Sequence, residues 1–457
     1  MKQFLSRPVR CGTATTLLLL LFLLPLPLAA QQSWTLRQCI DHALAHNIGI
    51  RQRENQQQQQ ELQLSTARWQ RMPDLNASAG QNFSFGRGLT SDNTYTNTNT
   101  SSTSFSLGTS VPLFTGLRIP NTIALNRLNL EAATHDLEKA RNDVSVQVAQ
   151  DYVQVLYNME LLSVARRQTA IDSMQVARLQ ALLDNGKASR AELAQQEATL
   201  AQSRLTAIQA EGNLRLALLT LSQLLELPSP EGFSIAPIDT LTTVAAEGVM
   251  ERQTPLPAPD LIFAEALGLR PEIQAEQLRL EATGRSIAIA RSGLYPQLSF
   301  SAGLGSNYYN TSRGQMDGFA KQMKNNFSQN LGFSLSIPIF NRFQTRNSIR
   351  SAKIDRINQQ LALDNVKKQL YKEIQTAYYN TVTAQQKLQS SRQARESSDM
   401  AFRLTLAKYE QGKATITEFN EARNNLLRAE SDLVQARYEH LYQTALIQFY
   451  RGQPLQL

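Results

Sequence analysis

Cysteine and charge are both scarce in this chain. Only Cys11 and Cys39 occur in 457 residues, which excludes a disulfide framework and a multi-cysteine zinc site. Charged residues make up 18% of the sequence, below the roughly 25% of an average soluble protein. The formal net charge of +8 is not concentrated in a basic block. Because a nucleic-acid-binding protein normally clusters its positive charge, we do not expect nucleic acid as a partner.

The sequence also lacks the motifs of catalysis. Phosphate-loop and nucleophile-elbow patterns are missing. Among four histidines, only His42 and His46 stand one helical turn apart, a spacing that can hold a metal. Their counterparts 223 residues later, Glu265 and Leu269, do not reproduce the pair. We therefore predict no enzyme activity, no cofactor and no metal site, with the histidines on a solvated helix face.

Long hydrophobic runs are missing too. The longest extends from Leu17 to Leu24 and is too short for a spanning helix, which needs about 20 residues. Three basic residues precede it, and small residues at Ala29 and Ala30 follow it. This arrangement predicts a cleaved export signal over residues 1–30, with an uncleaved anchor as the alternative.

The rest of the chain is an internal repeat. The offset is 223 residues at first and 226 later, as four pairs of segments show: Ala43-Leu44 with Ala266-Leu267, Pro73-Asp74-Leu75 with Pro296-Gln297-Leu298, Val111-Pro112-Leu113-Phe114 with Ile337-Pro338-Ile339-Phe340, and Gly186-Lys187-Ala188 with Gly412-Lys413-Ala414. We predict two related units, residues 31–227 and 260–457. A proline-rich linker, residues 228–259, joins them.

Each unit contains a long stretch without proline. The first lies between Pro120 and Pro228 and the second between Pro338 and Pro454. Both are rich in helix-forming residues and place apolar residues at heptad spacing. They predict two long coiled-coil hairpins with turns at 184–188 and 410–414, where a glycine provides the left-handed cap of a helix end.

Helix lengths indicate how these hairpins pack. The helix from about Arg118 to Asp184 would be roughly 100 Å long at 1.5 Å per residue. Its return helix of about 40 residues and a preceding helix of about 25 would together match that length. The second unit repeats this relation. We therefore predict a cylinder of laterally packed helices with common ends, which is an α-barrel tunnel.

Four segments alternate with a period of two residues, at about 75–87, 103–114, 297–309 and 329–340. One face of each predicted strand is apolar and the other is serine, glycine or asparagine, as in outer-membrane barrels; a soluble sandwich also alternates. Four strands cannot close a barrel, since single-chain barrels begin at eight. The chain must therefore oligomerise, with eight strands from two copies or twelve from three.

The repeated motifs resemble those of the TolC-like outer membrane efflux protein family. The likeness is strongest from Lys408 to Thr415 (KYEQGKAT), followed by Glu418-Phe419 and Ala422-Arg423. It implies a mostly helical homotrimer in the outer membrane of a Gram-negative bacterium. A twelve-stranded transmembrane β-barrel in the lipid would continue as a twelve-helix tunnel in the periplasm. It also implies a periplasmic membrane fusion (adaptor) protein and an inner-membrane transporter as partners.

The resemblance also implies the function. The chain would be the passive exit duct of a tripartite efflux or type I secretion system, carrying small molecules or proteins. The alternative is a periplasmic coiled-coil adaptor or scaffold protein, which the duplicated hairpins and the barrel-like strands disfavour.

Two groups of residues near the hairpin turns are the candidate sites. We expect the tips to contact the adaptor through Asn185, Gly186, Lys187, Gln411, Gly412 and Lys413. An inward-facing ring of acids could form a periplasmic gate, with Asp184, Glu396, Asp399 and Glu410 as candidates. In the alternative interpretation, the glycines only cap helices, the lysines complement the helix dipole and the acids lie on a helix surface.

Overall fold

The computed structural model describes residues 33–89, 93–237, 256–312 and 316–456. The predicted export signal and residues 238–255 of the predicted linker lie outside these ranges. The described part contains the helices α1 Leu36–His46, α2 Ile48–Trp69, α3 Arg118–Asp184, α4 Arg190–Leu224, α5 Pro259–Leu269, α6 Pro271–Ser292, α7 Phe319–Asn325, α8 Gln344–Glu410 and α9 Ile416–Tyr450. Its strands are β1 Asn76–Ser84, β2 Arg87–Leu89, β3 Tyr95–Asn97, β4 Thr100–Phe114, β5 Gln297–Thr311 and β6 Ser328–Ser336.

Four strands form one antiparallel sheet in the order β1-β4-β5-β6. Residues directly opposite each other share a face: Leu107 lies between Ala77 and Leu304, and Phe300 faces Phe333. The other face carries rows such as Ser78, Ser106, Gly305 and Ser328. The predicted division into an apolar and a small polar face is therefore present over most of the sheet. It ends toward Thr100 of β4, where Ser101 and Asn310 lie on the otherwise apolar face. These four described strands contain no charged residue.

The hairpins form one layer of helices. Helices α3 and α8 contain 67 residues each. Around α3 lie α2 and α4 on one side and α6 and α9 on the other, while α8 packs on α6 and α9. This gives four columns in the order α2/α4, α3, α6/α9 and α8. None of the described helices is both long and apolar enough to cross a membrane.

Two of the columns consist of shorter helices stacked end to end. The amide of Asn47, at the start of α2, donates to the carbonyl oxygen of Leu224, at the end of α4, over 3.3 Å. In the second unit, the Arg270 guanidinium before α6 donates to the Phe449 carbonyl oxygen near the end of α9 over 3.1 Å. Helix α4 ends before Leu227 because Glu226 adopts a left-handed φ of 57°.

Helix α1 and the first part of the linker cover one side of this layer. Trp34 forms a parallel bridge with Ile235, and the Tyr152 hydroxyl donates to the Ala236 carbonyl oxygen over 2.9 Å. Cys39 and Ala43 of α1 are fully buried in a core that includes Val148 and Leu221. In the second unit, α5 packs on α8 in the same way, through Ile262, Ala266 and Ile374.

Besides the short helices α1 and α5, the structure adds two small features to the predicted elements. Strands β2 and β3 form a short separate hairpin, and α7 lies between β5 and β6. The side chain of Gln322 in α7 accepts from the Tyr309 backbone nitrogen and donates to the Tyr309 carbonyl oxygen, both over 2.9 Å. Helix α7 therefore satisfies the backbone of β5 where β5 extends beyond β6. Strand β6 ends at Ser336, before Pro338, which has no N–H to donate.

Candidate functional site: the hairpin tips

The two hairpin turns have the same backbone conformation. Gly186 and Gly412 adopt left-handed φ angles of 71° and 70°. Beyond each glycine, the lysine N–H donates to a carbonyl oxygen of the last helical turn, Lys187 to Leu182 and Lys413 to Lys408, both over 2.8 Å. This is the hydrogen bond of a Schellman cap, in which a glycine ends a helix and reverses the chain. The glycines therefore have the capping role that the sequence allowed.

The return helices begin with a second reciprocal cap. The Glu192 backbone nitrogen donates to the Ser189 hydroxyl over 3.1 Å, and the Ser189 nitrogen donates to the Glu192 carboxylate over 2.8 Å. Thr415 and Glu418 form the same pair of bonds. The backbone N–H of Thr415 lowers the pKa of Glu418, because it stabilises the charged carboxylate. Caps on both sides hold each turn rigidly.

The two tips lie side by side. Their facing residues form one apolar cluster with Leu179 and Leu193 from the first hairpin and Ile416 and Phe419 from the second. The Phe419 ring stacks on Tyr409 with centroids 5.0 Å apart. Around this cluster, all six predicted tip residues are exposed, namely Asn185, Gly186, Lys187, Gln411, Gly412 and Lys413. One chain therefore presents both turns as a single surface.

The four candidate gate acids have different surroundings. Asp184 accepts from the Gln180 amide of its own helix over 2.8 Å, and Asp399 pairs with Arg403 of its own helix over 2.9 Å. Glu396 is exposed. Glu410 accepts from Arg178 over 3.4 Å, so it joins the second hairpin to the first.

A buried ion pair lies further from the tips. Arg423 of α9 donates to Asp172 of α3, and their side chains are 6% and 1% exposed. The Gln168 amide also donates to Asp172, over 3.0 Å. Burial lowers the pKa of Arg423, because desolvation disfavours its charge, while Asp172 opposes this effect. In α4, Gln196 is fully buried, and neither polar atom of its amide has a partner within the described structure.

Sequence reasoning did not find this pair. Arg423 belongs to the stretch that resembles the efflux family, but no signal indicated its partner. The repeat could not help, because the counterparts 226 residues away are Ser398 for Asp172 and Glu197 for Arg423. Only the packing of α3 against α9 brings these two residues together.

The histidine pair lies away from the tips, on α1. The rings of His42 and His46 are stacked with centroids 4.1 Å apart, and Trp34 contacts His42 edge-on. Burial, followed by the neighbouring His46, lowers the pKa of His42. No cluster of three potential metal ligands is found within the described residues.

Comparison with known proteins gives one consistent result. The family model for outer membrane efflux proteins matches residues 39–226 and 262–451, one segment in each repeat. The outer membrane efflux protein BepC of Brucella suis is 23% identical over 328 residues, which cover 72% of this chain and 67% of BepC. The pyoverdine export outer membrane protein OpmQ of Pseudomonas aeruginosa is 28% identical over 393 residues, covering 81% and 75%.

Solved structures agree on the fold. A crystal structure of CusC superposes with a TM-score of 0.75 at 19% identity and covers 92% of both chains.

Proposed function

The chain belongs to the outer membrane efflux protein family, and from this premise we propose that three copies assemble into one closed duct. Members of the family are non-enzymatic outer membrane channels of the tripartite efflux and type I secretion systems of Gram-negative bacteria, and the chain is such a channel.

The open edges of the single chain support a closed assembly. The sheet ends at β1 and β6, each of which pairs on one side only within the described residues. The helix layer ends at the columns α2/α4 and α8. Because α2 leads into β1 and β6 leads into α8, one neighbouring copy can cover both edges on each side. Unpaired strand edges in lipid cost several kcal/mol per backbone group, so closure is required.

Three copies would give twelve strands and twelve helical columns. An eight-stranded barrel has an interior filled by side chains, whereas a wider barrel can hold water. The serine, glycine and asparagine face of the sheet suits a water-filled interior. The matched open edges of sheet and helix layer are the observation that carries this proposal.

The decisive experiment measures mass and shape. Native mass spectrometry and electron microscopy of the detergent-extracted mature protein should give a trimer with a rod roughly 100 Å long, as expected for helices of this length. Planar-bilayer recordings should show discrete conductance steps. A monomer that stays soluble without detergent would overturn the proposal in favour of a periplasmic helical scaffold.

We infer that the joint tip surface receives a periplasmic adaptor, which connects the duct to an inner-membrane transporter. The turns are exposed, are capped on both sides, and are joined by one apolar cluster. A photo-crosslinker at Lys413 should capture an adaptor protein that mass spectrometry identifies in intact cells. The same crosslinker at Lys353, an exposed residue near the sheet end of α8, should not capture it.

We further propose that acids near the tips form the periplasmic gate. The candidates are Asp184, Glu396, Asp399 and Glu410, of which Glu410 joins the two hairpins through Arg178. Glu410→Gln should increase single-channel conductance if this contact holds the tips closed. Asp143→Asn, which removes an exposed ion pair with Lys139 within α3, is the control. Equal conductance in wild type and Glu410→Gln would remove Glu410 from the gate.

A further inference from the structure

The helix α3 has a free face opposite α1. Val148, Tyr152 and Val155 pack toward α1 and the linker. Residues two positions further along a helix are turned by about 200°, because each residue adds about 100°. Gln150, Gln154 and Tyr157 therefore point to the other side of the layer. In the proposed duct this side faces the lumen, since α1 and the linker would otherwise fill the passage.

Two adjoining cavities form a groove on this free face. The first has a volume of about 300 Å³ and lies between α3 and α9, where Gln154 and Tyr157 face Glu439 and Tyr442. The second, of about 280 Å³, continues along α3 between α4 and α9. Both cavities share Tyr157 and Gln435. We call this continuous feature the tyrosine groove.

The tyrosine groove combines aromatic, amide and acidic groups. Burial above all raises the pKa values of Tyr157 and Tyr442, so both phenols stay neutral. Each ring is half-buried and presents the rest of its surface to the groove. Glutamine amides surround the rings, and carboxylates are contributed by Asp432 and Glu439.

Positive charge is missing from the same walls. Among the described residues that line the two cavities, none is lysine, arginine or histidine. Lys387 pairs with Glu439 from α8 over 3.2 Å, outside the lining, which leaves the carboxylate of Asp432 as the groove's main charge. The described lining of the groove therefore carries negative charge and no positive charge, which favours a positively charged ligand.

We propose that the tyrosine groove is a binding site for planar organic cations on the inner wall of the duct. The proposal rests on the proposed function, since it requires the free face of α3 to line a lumen. A flat cation can stack on a tyrosine ring through a cation–π interaction while Asp432 neutralises its charge. Glutamine amides can bond to its polar substituents.

The site is complete within one chain. Helices α3 and α9, which carry the tyrosines and carboxylates of the groove, lie inside the layer, away from its open edges. Helix α4 belongs to an edge column, but it lines only one wall of the second cavity, so a neighbouring copy would pack on its other side. Three copies would give three such sites at one height. Conduction requires binding weak enough for release, so these sites would retain cargo briefly within the wide tunnel.

Fluorescence anisotropy with the detergent-extracted protein tests the site directly. The probe is ethidium, a planar cation, and the comparison ligand is fluorescein, a planar anion. Ethidium should bind more tightly than fluorescein. Tyr157→Leu and Asp432→Asn should each weaken ethidium binding about fivefold, a typical size for loss of one cation–π or charge contact. Tyr379→Leu and Asp355→Asn change residues of α8 that are exposed in the single chain and do not line the groove, so they should leave the affinity unchanged.

Planar-bilayer recordings distinguish a failure of the proposed channel function from a failure of the tyrosine groove alone. Ethidium added on the barrel side should reduce the current through wild-type channels, and Tyr157→Leu should relieve this block. A protein that forms no channel would overturn the proposed function itself. A channel that conducts, but whose ethidium affinity is unchanged by Tyr157→Leu and Asp432→Asn, would overturn the tyrosine groove alone. Equal affinity for ethidium and fluorescein would do the same.

Discussion

Arg423 of the second hairpin donates a hydrogen bond to Asp172 of the first in the interior of the helix layer. Removing two charges from water costs several kcal/mol per ion, and the mutual attraction offsets this only while both partners remain. The pair therefore fixes the position of one hairpin relative to the other. It does so through two residues that the internal repeat does not reproduce.

Removing one member of this ion pair should destabilise the protein much more than removing both members. Arg423→Met leaves Asp172 buried and uncompensated, and should destabilise the protein by about 3–5 kcal/mol. Asp172→Leu combined with Arg423→Met should recover most of this loss. Chemical denaturation of the detergent-extracted protein measures both changes in a double-mutant cycle.

An exposed ion pair is the matched control for that cycle. Lys139 and Asp143 lie on α3 with side chains 45% and 62% exposed, so their removal should cost at most about 0.5 kcal/mol. Should the double variant at Asp172 and Arg423 be as unstable as the single one, the ion pair would not be the source of the effect.

The two faces of the sheet should respond differently to a charge. Phe333 lies on the apolar face and is 73% exposed in the single chain, while Ser334 lies on the polar face. Phe333→Arg should destabilise the membrane-inserted state by about 2–4 kcal/mol, as for a charge at the middle of a lipid-facing strand. Ser334→Arg should be tolerated because it points into the interior.

The amount of folded protein in purified outer membranes measures this difference. The two substitutions are adjacent in sequence and introduce the same side chain, so each controls for the other. Comparable insertion of the two variants would contradict the assignment of faces.

The cap at Thr415 should make the second tip sensitive to acid. The pKa of Glu418 is lowered from its ordinary value of 4.5, so its stabilising effect is present above pH 4.5 and is lost as the pH falls through the lowered pKa. Glu418→Gln keeps a capping side chain without the charge. Wild type should therefore protect the tip better at neutral pH and lose this advantage in acid.

Hydrogen exchange of tip peptides provides the measurement. Wild type and Glu418→Gln are compared at the same pH, so that intrinsic exchange rates cancel. A difference in protection that shows no decrease as the pH is lowered stepwise from 7 until the tip carboxylates are protonated would show that the charge of Glu418 is not responsible.

Replacing a glycine with alanine should lower the stability of the protein at Gly186 and raise it at Gly212. Gly186→Ala places a Cβ at a φ of 71° and should destabilise the hairpin by roughly 1–2 kcal/mol. Gly212 lies inside α4 with open space around its Cβ position, so Gly212→Ala should stabilise by roughly 1 kcal/mol. Thermal denaturation of both variants measures the contrast, and a stabilising Gly186→Ala would contradict the cap.

The long elements could be predicted because the chain marks their ends. The helix predicted from about Arg118 to Asp184 has those bounds in the structure, since Pro120 lies in its first turn, where proline is tolerated, and the Gly186 cap follows it. Strand alternation likewise located the sheet, because the polar and apolar residues lie on separate faces.

Contacts between side chains that are far apart in the sequence could not be predicted, because they produce no periodic pattern in it. The column joints use Asn47 in one unit and Arg270 in the other, so no motif repeats even though the positions correspond. Helix α7 depends on Gln322 bonding to the Tyr309 backbone, which no local periodicity reveals. The tyrosine groove requires two helices that lie nearly 300 residues apart in the sequence.

The stacked columns have a mechanical consequence. Each chain alternates a jointed column with a continuous one, since α2/α4 and α6/α9 are interrupted at mid-height whereas α3 and α8 run unbroken. At the first joint, Asn47 bonds to the Leu224 carbonyl oxygen and the Ile48 N–H bonds to Glu226. At the second joint, Arg270 bonds to the Phe449 carbonyl oxygen and lies over the Phe449 and Tyr450 rings. A joint made of such contacts lacks the continuous backbone hydrogen bonds of an unbroken helix, so it bends more easily than α3 or α8. In the proposed duct, movement of the tips is therefore absorbed at the joints of α4 and α9, and the sheet keeps its shape when the proposed gate opens.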